Sequence, residues 1–200
     1  SFTPDLKNGL SVYEICATCH LPEGWGNDDG GYPQIAGQHK NVLIKQLLDI
    51  RSGYRDNPAM YPFVQERTIG GNQALADVVA YISTLPMNPR HRKGPWSTHR
   101  DEYLAGKKMY RENCSVCHGN GGEGNDEKTI PLLYGQHYPY LLRQVRQIKS
   151  GQRKVNPTMQ AITKKLSDVQ IQQILDYVSY LPVPDGKRAP SLNWRNTDFY

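Results

Sequence analysis

Apolar positions along the chain recur at helical spacing, and the same order of helical segments occurs twice. Val42, Leu43, Ile44, Leu47, Leu48 and Ile50 fall on one face and run into Gly53, while Leu141, Leu142, Val145 and Ile148 do the same and run into Gly151. Each glycine suits a left-handed C-terminal cap. A second pair of amphipathic helices carries Leu75, Val78, Val79, Ile82 and Leu85 in one copy and Ile171, Ile174, Leu175, Val178 and Leu181 in the other. These end in Leu85-Pro86 and Leu181-Pro182, and Ser167 with Gln170 has capping-box spacing. Upstream, a helix with Gly9 and Tyr13 leads to Cys16, and one with Gly106 and Tyr110 leads to Cys114. Each half thus reads helix, cysteine motif, Gly/Pro-rich loop, helix, methionine loop, helix.

The repeat predicts an all-α chain of two domains, residues 1–86 and 100–182. Residues 87–99 form a linker rich in Pro, Arg and His, and residues 183–200 form a tail. Linker and tail carry Trp96 and Trp194, so both are expected to pack on the domains.

Composition sharpens this picture. The chain has 200 residues, of which 38% are hydrophobic. No stretch approaches the ~18–20 apolar residues that cross a bilayer, so a soluble chain is expected. A domain of roughly 85 residues is a modest core that calls for a staple or a cofactor. A chain lacking that help is expected to be largely unfolded. The net charge of +5 is unevenly spread: residues 1–86 carry six Lys and Arg against nine Asp and Glu, and residues 99–200 carry fifteen against ten. No basic run interleaved with aromatics marks a nucleic-acid groove, which argues against a nucleic-acid partner.

All four cysteines lie in two copies of one pentapeptide, Cys16-Ala17-Thr18-Cys19-His20 and Cys114-Ser115-Val116-Cys117-His118. C-x-x-C-H is the attachment signature of c-type haem. Cysteines three residues apart on a helical turn share a face, so both sulfurs can reach the vinyl groups of one porphyrin, and the adjoining histidine can reach the iron. A disulfide framework, a zinc site from all four thiolates and a redox dithiol are the competing readings. The zinc site requires the two pairs to converge and leaves both histidines unexplained.

Further blocks repeat. Gly37-Gln38-His39 recurs as Gly135-Gln136-His137, and Asn57-Pro58-Ala59-Met60 recurs as Asn156-Pro157-Thr158-Met159. Met109 sits within a helix as packing, and Met87 lies in the linker, where the other copy has Val183.

The paired motifs resemble class I c-type cytochromes, and the tandem arrangement with Gly-Gln-His after each motif is similar to the dihaem cytochrome c4 family over nearly the whole chain. The resemblance implies two tandem class I domains related by a pseudo-twofold axis, each wrapping one covalent haem c. It implies His20 and Met60 as axial ligands of one iron and His118 and Met159 of the other. It also implies that the carbonyls of Pro33 and Pro131 accept the ring N–H of the axial histidines. Gln38 and Gln136 are candidates for the haem edge. His39 and His137 compete with the methionines for the sixth position, and bis-histidine ligation would lack the weak far-red band of a methionine-ligated ferric haem.

With both axial positions filled, substrate chemistry is disfavoured and one-electron transfer remains, so the expectation is a carrier, not an enzyme, without a small-molecule substrate. The resemblance suggests a respiratory chain, with a quinol-oxidising complex as donor and a terminal oxidase as acceptor. The alternative is the dihaem electron-transfer subunit of a sulfur-compound dehydrogenase; a gas or redox sensor is a third reading. Thioether attachment outside the cytoplasm, and a chain starting at Ser1 without an export signal, lead to the expectation of a mature periplasmic form, soluble or loosely membrane-associated. The basic second half should give its haem the higher potential.

Overall fold

The computed structural model describes residues 3–200. The first half folds as α1 (Leu6–His20), α2 (Lys40–Arg51), a 3-10 turn (Tyr61–Val64), α3 (Glu66–Ile69) and α4 (Gly71–Thr84). The second folds as α5 (Asp101–Asn113), α6 (Ser115–His118), α7 (Tyr138–Ser150), α8 (Pro157–Lys165) and α9 (Asp168–Ser179). Among the described residues there is no strand, only isolated bridges, and no helix long and apolar enough to cross a membrane.

Each half is organised by the crossing of its first and last helices, α1 on α4 and α5 on α9. The crossing is close because glycine sits at the contact. A Cβ on Gly9 would lie 2.3 Å from the Asp77 carbonyl oxygen, and one on Gly106 would lie 1.9 Å from that of Gln173. Around each crossing is a separate core. Tyr13 packs with Tyr81, Val78 and Ile82 in the first, and Tyr110 packs with Tyr177, Ile174 and Val178 in the second. Both inner tyrosines are fully buried, and each donates its hydroxyl to a backbone carbonyl, Tyr13 to Leu21 (2.8 Å) and Tyr110 to Gly119 (2.7 Å).

The copies differ locally for identifiable reasons. The first cysteine motif completes α1, whereas the second is broken at Cys114 between α5 and α6. There Asn113 donates to the Met109 carbonyl and Ser115 to that of Arg111, side-chain bonds back along the helix that favour a bend. Met60 occupies a turn before the 3-10 segment, as expected of a methionine loop, but Met159 lies inside α8. Asn156 caps that helix through Thr158 N–H, and Pro157 starts it. In the first half Pro62 follows too closely for the same turn to extend as an α-helix. Ser167 and Gln170 form the capping box of α9.

Linker and tail cross over. The linker leaves the first half and lies on the second: His91 Nε2 donates to the Ser179 carbonyl (2.7 Å), Gly94 N–H to the Ser179 hydroxyl (2.8 Å) and Trp96 N–H to Asp176 (2.9 Å). The tail leaves the second half and lies on the first. Asn196 donates to the Pro22 carbonyl and the Tyr81 hydroxyl, while Trp194 packs on Trp25 and Phe199 on Tyr13. The two segments meet at Met87, whose N–H donates to Lys187 O (2.7 Å) and whose carbonyl accepts Ala189 N–H (2.9 Å).

Where the linker meets α9, Asp176 is completely buried, and only one of its carboxylate oxygens has a partner. Burial pushes its pKa from 3.8 up to about 6. A folded-state value above the unfolded one means that the protonated acid suits the fold, and that this stability is lost as pH rises through about 6. Asp176→Asn, which keeps an acceptor for Trp96 N–H and removes the charge, is therefore expected to raise stability at pH 7–8 by about 1–3 kcal/mol, the cost of desolvating the carboxylate. The gain should vanish below about pH 4, where the wild-type side chain is also neutral. Chemical denaturation at a series of pH values measures the difference; an equal gain at acid pH would contradict it.

Candidate functional site

His20 closes α1 and His118 closes α6, and a loop then brings a proline carbonyl back to each ring. His20 Nδ1 is 2.9 Å from Pro33 O and His118 Nδ1 is 3.1 Å from Pro131 O. Since a carbonyl can only accept, Nδ1 carries the proton and Nε2 presents its lone pair. Burial of both rings depresses their pKa values, so the neutral imidazole is the form present at pH 7. Each loop is also pinned to the helix end, with Gly26 N–H on His20 O and Gly124 N–H on His118 O.

The residue after each histidine turns the chain away. Gly119 does so at φ 80°, ψ 161°, a region open almost only to glycine, whereas Leu21 holds φ 67°, ψ 158° with a branched side chain. Tyr13 fixes Leu21 by its hydroxyl bond.

Beside His118 a narrow apolar cleft of about 40 Å³ is walled by Tyr110, Cys114, Leu133, Val145 and Ile174. Helix α8 contributes Ile162 and Thr163 to the wall, and Leu166, which follows the helix, adds to it. Met159 is half-buried one turn earlier and does not line the cleft; Met60 is half-buried as well. Cys16, Cys19 and Cys114 are half-buried and Cys117 is exposed, and no two of them are joined as a disulfide. Burial pushes Cys16 and Cys114 up to about 11, which makes them poor thiolate ligands or redox nucleophiles. No cluster of three metal-binding side chains occurs among the described residues, so the four sulfurs do not converge as a zinc site requires.

The glutamines and histidines of the repeated Gly-Gln-His serve the domain interface. Gln38 grips both backbone groups of Leu132, donating to its carbonyl and accepting its N–H, each at 3.1 Å. Gln136 grips Gln34 in the same way, at 2.9 and 3.0 Å. His39 Nε2 lies 2.7 Å from Glu123 O and His137 Nε2 lies 2.7 Å from Trp25 O. His137 is fully buried, and its Nδ1 accepts Arg92 N–H, so neither ring nitrogen is free.

Sequence reasoning missed a second element of this interface. Arg55 and Arg153 face each other across it as an antiparallel bridge. Both guanidinium groups share Gln46 and Gln144, and Arg55 also donates to the Tyr140 hydroxyl. Neither has a carboxylate ion-pair partner among the described residues, and burial lowers Arg153 to about 10. The signal was available, because Arg55 lies 35 residues after His20 and Arg153 lies 35 after His118.

A neutral imidazole with a free Nε2 and a cysteine pair beside it in each half, with an apolar cleft at His118, fit a haem. The thioethers, the iron and the porphyrin face each find a matching group. The fold and these sites define a tandem c-type cytochrome. Residues 6–86 match the cytochrome c family and residues 101–178 match cytochrome c oxidase, cbb3-type, subunit III. The chain is 29% identical to cytochrome c4 of Azotobacter vinelandii over 88% of its length and 89% of that protein's. It is 31% identical to a thiosulfate dehydrogenase electron acceptor of Stutzerimonas stutzeri, over 81% of this chain and 76% of that one. Reduced cytochrome c4 from Pseudomonas stutzeri superimposes with a TM-score of 0.77 at 26% identity, covering 90% of this chain and all of that one. The protein belongs to the dihaem cytochrome c4 family, carries two covalently bound haem c groups and is an electron-transfer protein.

The strain at Leu21 has a measurable consequence. Leu21→Gly places the residue of the second copy in the first and is expected to stabilise the holoprotein by about 1 kcal/mol, after allowing for glycine's greater chain entropy. Thermal unfolding followed at the haem absorbance would show the gain; a loss would mean that the leucine side chain holds this turn.

Proposed function

We propose that this protein is a periplasmic one-electron carrier of a respiratory chain, with His20 and Met60 on one iron and His118 and Met159 on the other. The observation that carries the histidine assignment is the pair of Nδ1–H bonds to Pro33 and Pro131, which leave both Nε2 lone pairs available. For the sixth ligand, His39 and His137 are committed to carbonyls of the opposite domain, and the recurring Asn-Pro-x-Met supplies the remaining candidate. When bound, such a haem supplies reversible one-electron chemistry with no vacant coordination site. The chain's own residues hold the histidine tautomer, exclude water around Tyr13 and Tyr110, and set the surrounding charge. Arg55 and Arg153 are the cations that haem propionates would neutralise.

The domain boundaries we assign are residues 1–86 and 100–182, with the linker 87–99 lying on the second domain and the tail 183–200 on the first. Export to the periplasm follows from thioether attachment, which the family completes outside the cytoplasm. A terminal oxidase is the proposed acceptor, supported by the cbb3-type oxidase match, and a quinol-oxidising complex is the proposed donor. The likeness to thiosulfate dehydrogenase electron acceptors supports a second donor. A solved thiosulfate dehydrogenase from Marichromatium purpuratum is also similar, at 27% identity and a TM-score of 0.73, although this chain spans only 40% of it. Reduction of the ferric protein by thiosulfate plus such a dehydrogenase, and by neither alone, tests that donor.

Crossing of linker and tail enlarges the charge asymmetry. Residues 1–86 with 183–200 carry nine Lys and Arg against eleven Asp and Glu, whereas residues 87–182 carry fifteen against eight. Ferric haem adds positive charge, so the haem of the second lobe is expected to have the higher potential, by a modest margin because screening limits surface charges to about 8–10 Å. The ferric spectrum should show the far-red methionine band and two haems per chain. Met60→Ala or Met159→Ala should each remove about half of that band and lower the potential of one haem. Domain-resolved titration gives the order, and a reversed order, or an unchanged band in either variant, would refute the corresponding assignment.

A further inference from the structure

The axial-histidine loop of each domain is held from two sides. Its own domain supplies the proline carbonyl, and the other domain supplies the grip on the very next residue. Pro33 O accepts from His20, and the following residue, Gln34, has both its N–H and its C=O bonded to the side chain of Gln136. Pro131 O accepts from His118, and Leu132 has both backbone groups bonded to Gln38. The other arm of each loop is held too. His137 bonds to Trp25 O, one residue before the glycine pinned to His20 O, and His39 bonds to Glu123 O, one residue before the glycine pinned to His118 O.

We infer that the Gly-Gln-His segment of each domain positions the axial histidine of the opposite domain, so that Gln136 and His137 tune the haem at His20 while Gln38 and His39 tune the haem at His118. The inference rests on the reading of His20 and His118 as iron ligands. Its physical basis is that the orientation of the peptide after a proline fixes where that proline's carbonyl points. A two-point side-chain grip on that peptide removes its freedom to rotate. The strength of the Nδ1–H···O=C bond sets the basicity of Nε2, and a more basic imidazole favours ferric iron. Loosening the grip should weaken the bond and raise the potential of the haem across the interface.

The two arms are unequal. Gln34 extends the first by donating from its side chain to the Gly135 carbonyl and accepting Asn88 N–H, so linker, Gly135 and the His20 loop form one network; Leu132 has no such capacity. The haem at His20 should therefore respond less to loss of Gln136 than the haem at His118 does to loss of Gln38.

The test uses the holoprotein with Gln136→Met and Gln38→Met, which keep side-chain length and remove both hydrogen bonds. Potentials are assigned to domains by NMR of the axial residues. The expected result is crossed: in Gln136→Met the haem at His20 shifts toward the ferrous state by about threefold in ferrous-to-ferric ratio at the wild-type midpoint, with the haem at His118 little moved. Gln38→Met should do the reverse, with the larger shift. If a methionine variant does not fold, Gln136→Glu and Gln38→Glu retain the acceptor for the backbone N–H. The Nδ1–H resonance of the opposite domain's histidine in the reduced protein is then the readout, expected to move while its same-domain counterpart stays. Shifts confined to the variant's own domain, equal shifts of both haems, or none would overturn the inference. Absence of histidine Nε2 ligation in the wild type would overturn the reading beneath it, and is seen separately in the unmodified protein.

Discussion

The bond from each buried imidazole to a proline carbonyl is the constraint on which the rest of the molecule is arranged. It decides which ring nitrogen carries the proton, and hence which one can face a metal. It also requires the loop after each cysteine motif to double back over a short span. That return is achieved by the glycine bonded to the histidine carbonyl and by a positive-φ residue directly after the histidine. The helices on either side follow: α1 and α5 deliver the histidine, and their close crossings with α4 and α9 fix where the delivery occurs.

This constraint is shared between domains. Linker and tail exchange sides, so each lobe is completed by chain belonging in sequence to the other, and the Gly-Gln-His segments bind reciprocally across the same interface. Between them lie two guanidinium groups, that of buried Arg55 and that of half-buried Arg153, with only neutral partners. An uncompensated pair of like charges in a desolvated site is destabilising, so the interface has an electrostatic requirement that the polypeptide by itself does not meet. The propionates of a haem in each domain are the natural source of negative charge. If the propionates reach these arginines, domain docking and cofactor attachment are linked, and a chain without haem lacks both the filling of the cleft beside His118 and the neutralisation of its interface.

Much of this was legible in the sequence because the chain repeats itself. Helix periodicity, the paired Cys-x-x-Cys-His motifs and the capping box at Ser167 appear where the pattern puts them. The register between copies is constant at 98 residues from Cys16 through Arg55, which marks His39, Gln46 and Arg55 as shared with His137, Gln144 and Arg153. The purpose of those shared polar residues was not legible. A glutamine beside a histidine at a helix start carries no sign of which backbone it will bind, and bonds between residues about 100 apart leave no local periodicity. The placement of Met159 within α8 was hidden for a different reason. Asn-Pro-x-Met is compatible with either a turn or a helix start, and Pro62, downstream in only one copy, decides between them.

The departures from symmetry carry the functional weight, since two identical haem domains would have identical potentials and no direction for an electron. Asp176 stands where the other copy has Ala80, Leu132 where it has Gln34, and Gly119 where it has Leu21. The first places an ionisable group under the linker, the second halves the network that holds the His118 loop, and the third relieves strain beside that same histidine. None of these changes touches a cysteine or an axial histidine, so attachment is preserved while the surroundings diverge. The crossed linker adds Arg90, Arg92 and Lys93 to the lobe that is already basic, and so reinforces the inequality in the same sense. A dihaem chain made this way separates two tasks: the repeated residues build the sites, and the unrepeated ones make the sites unequal.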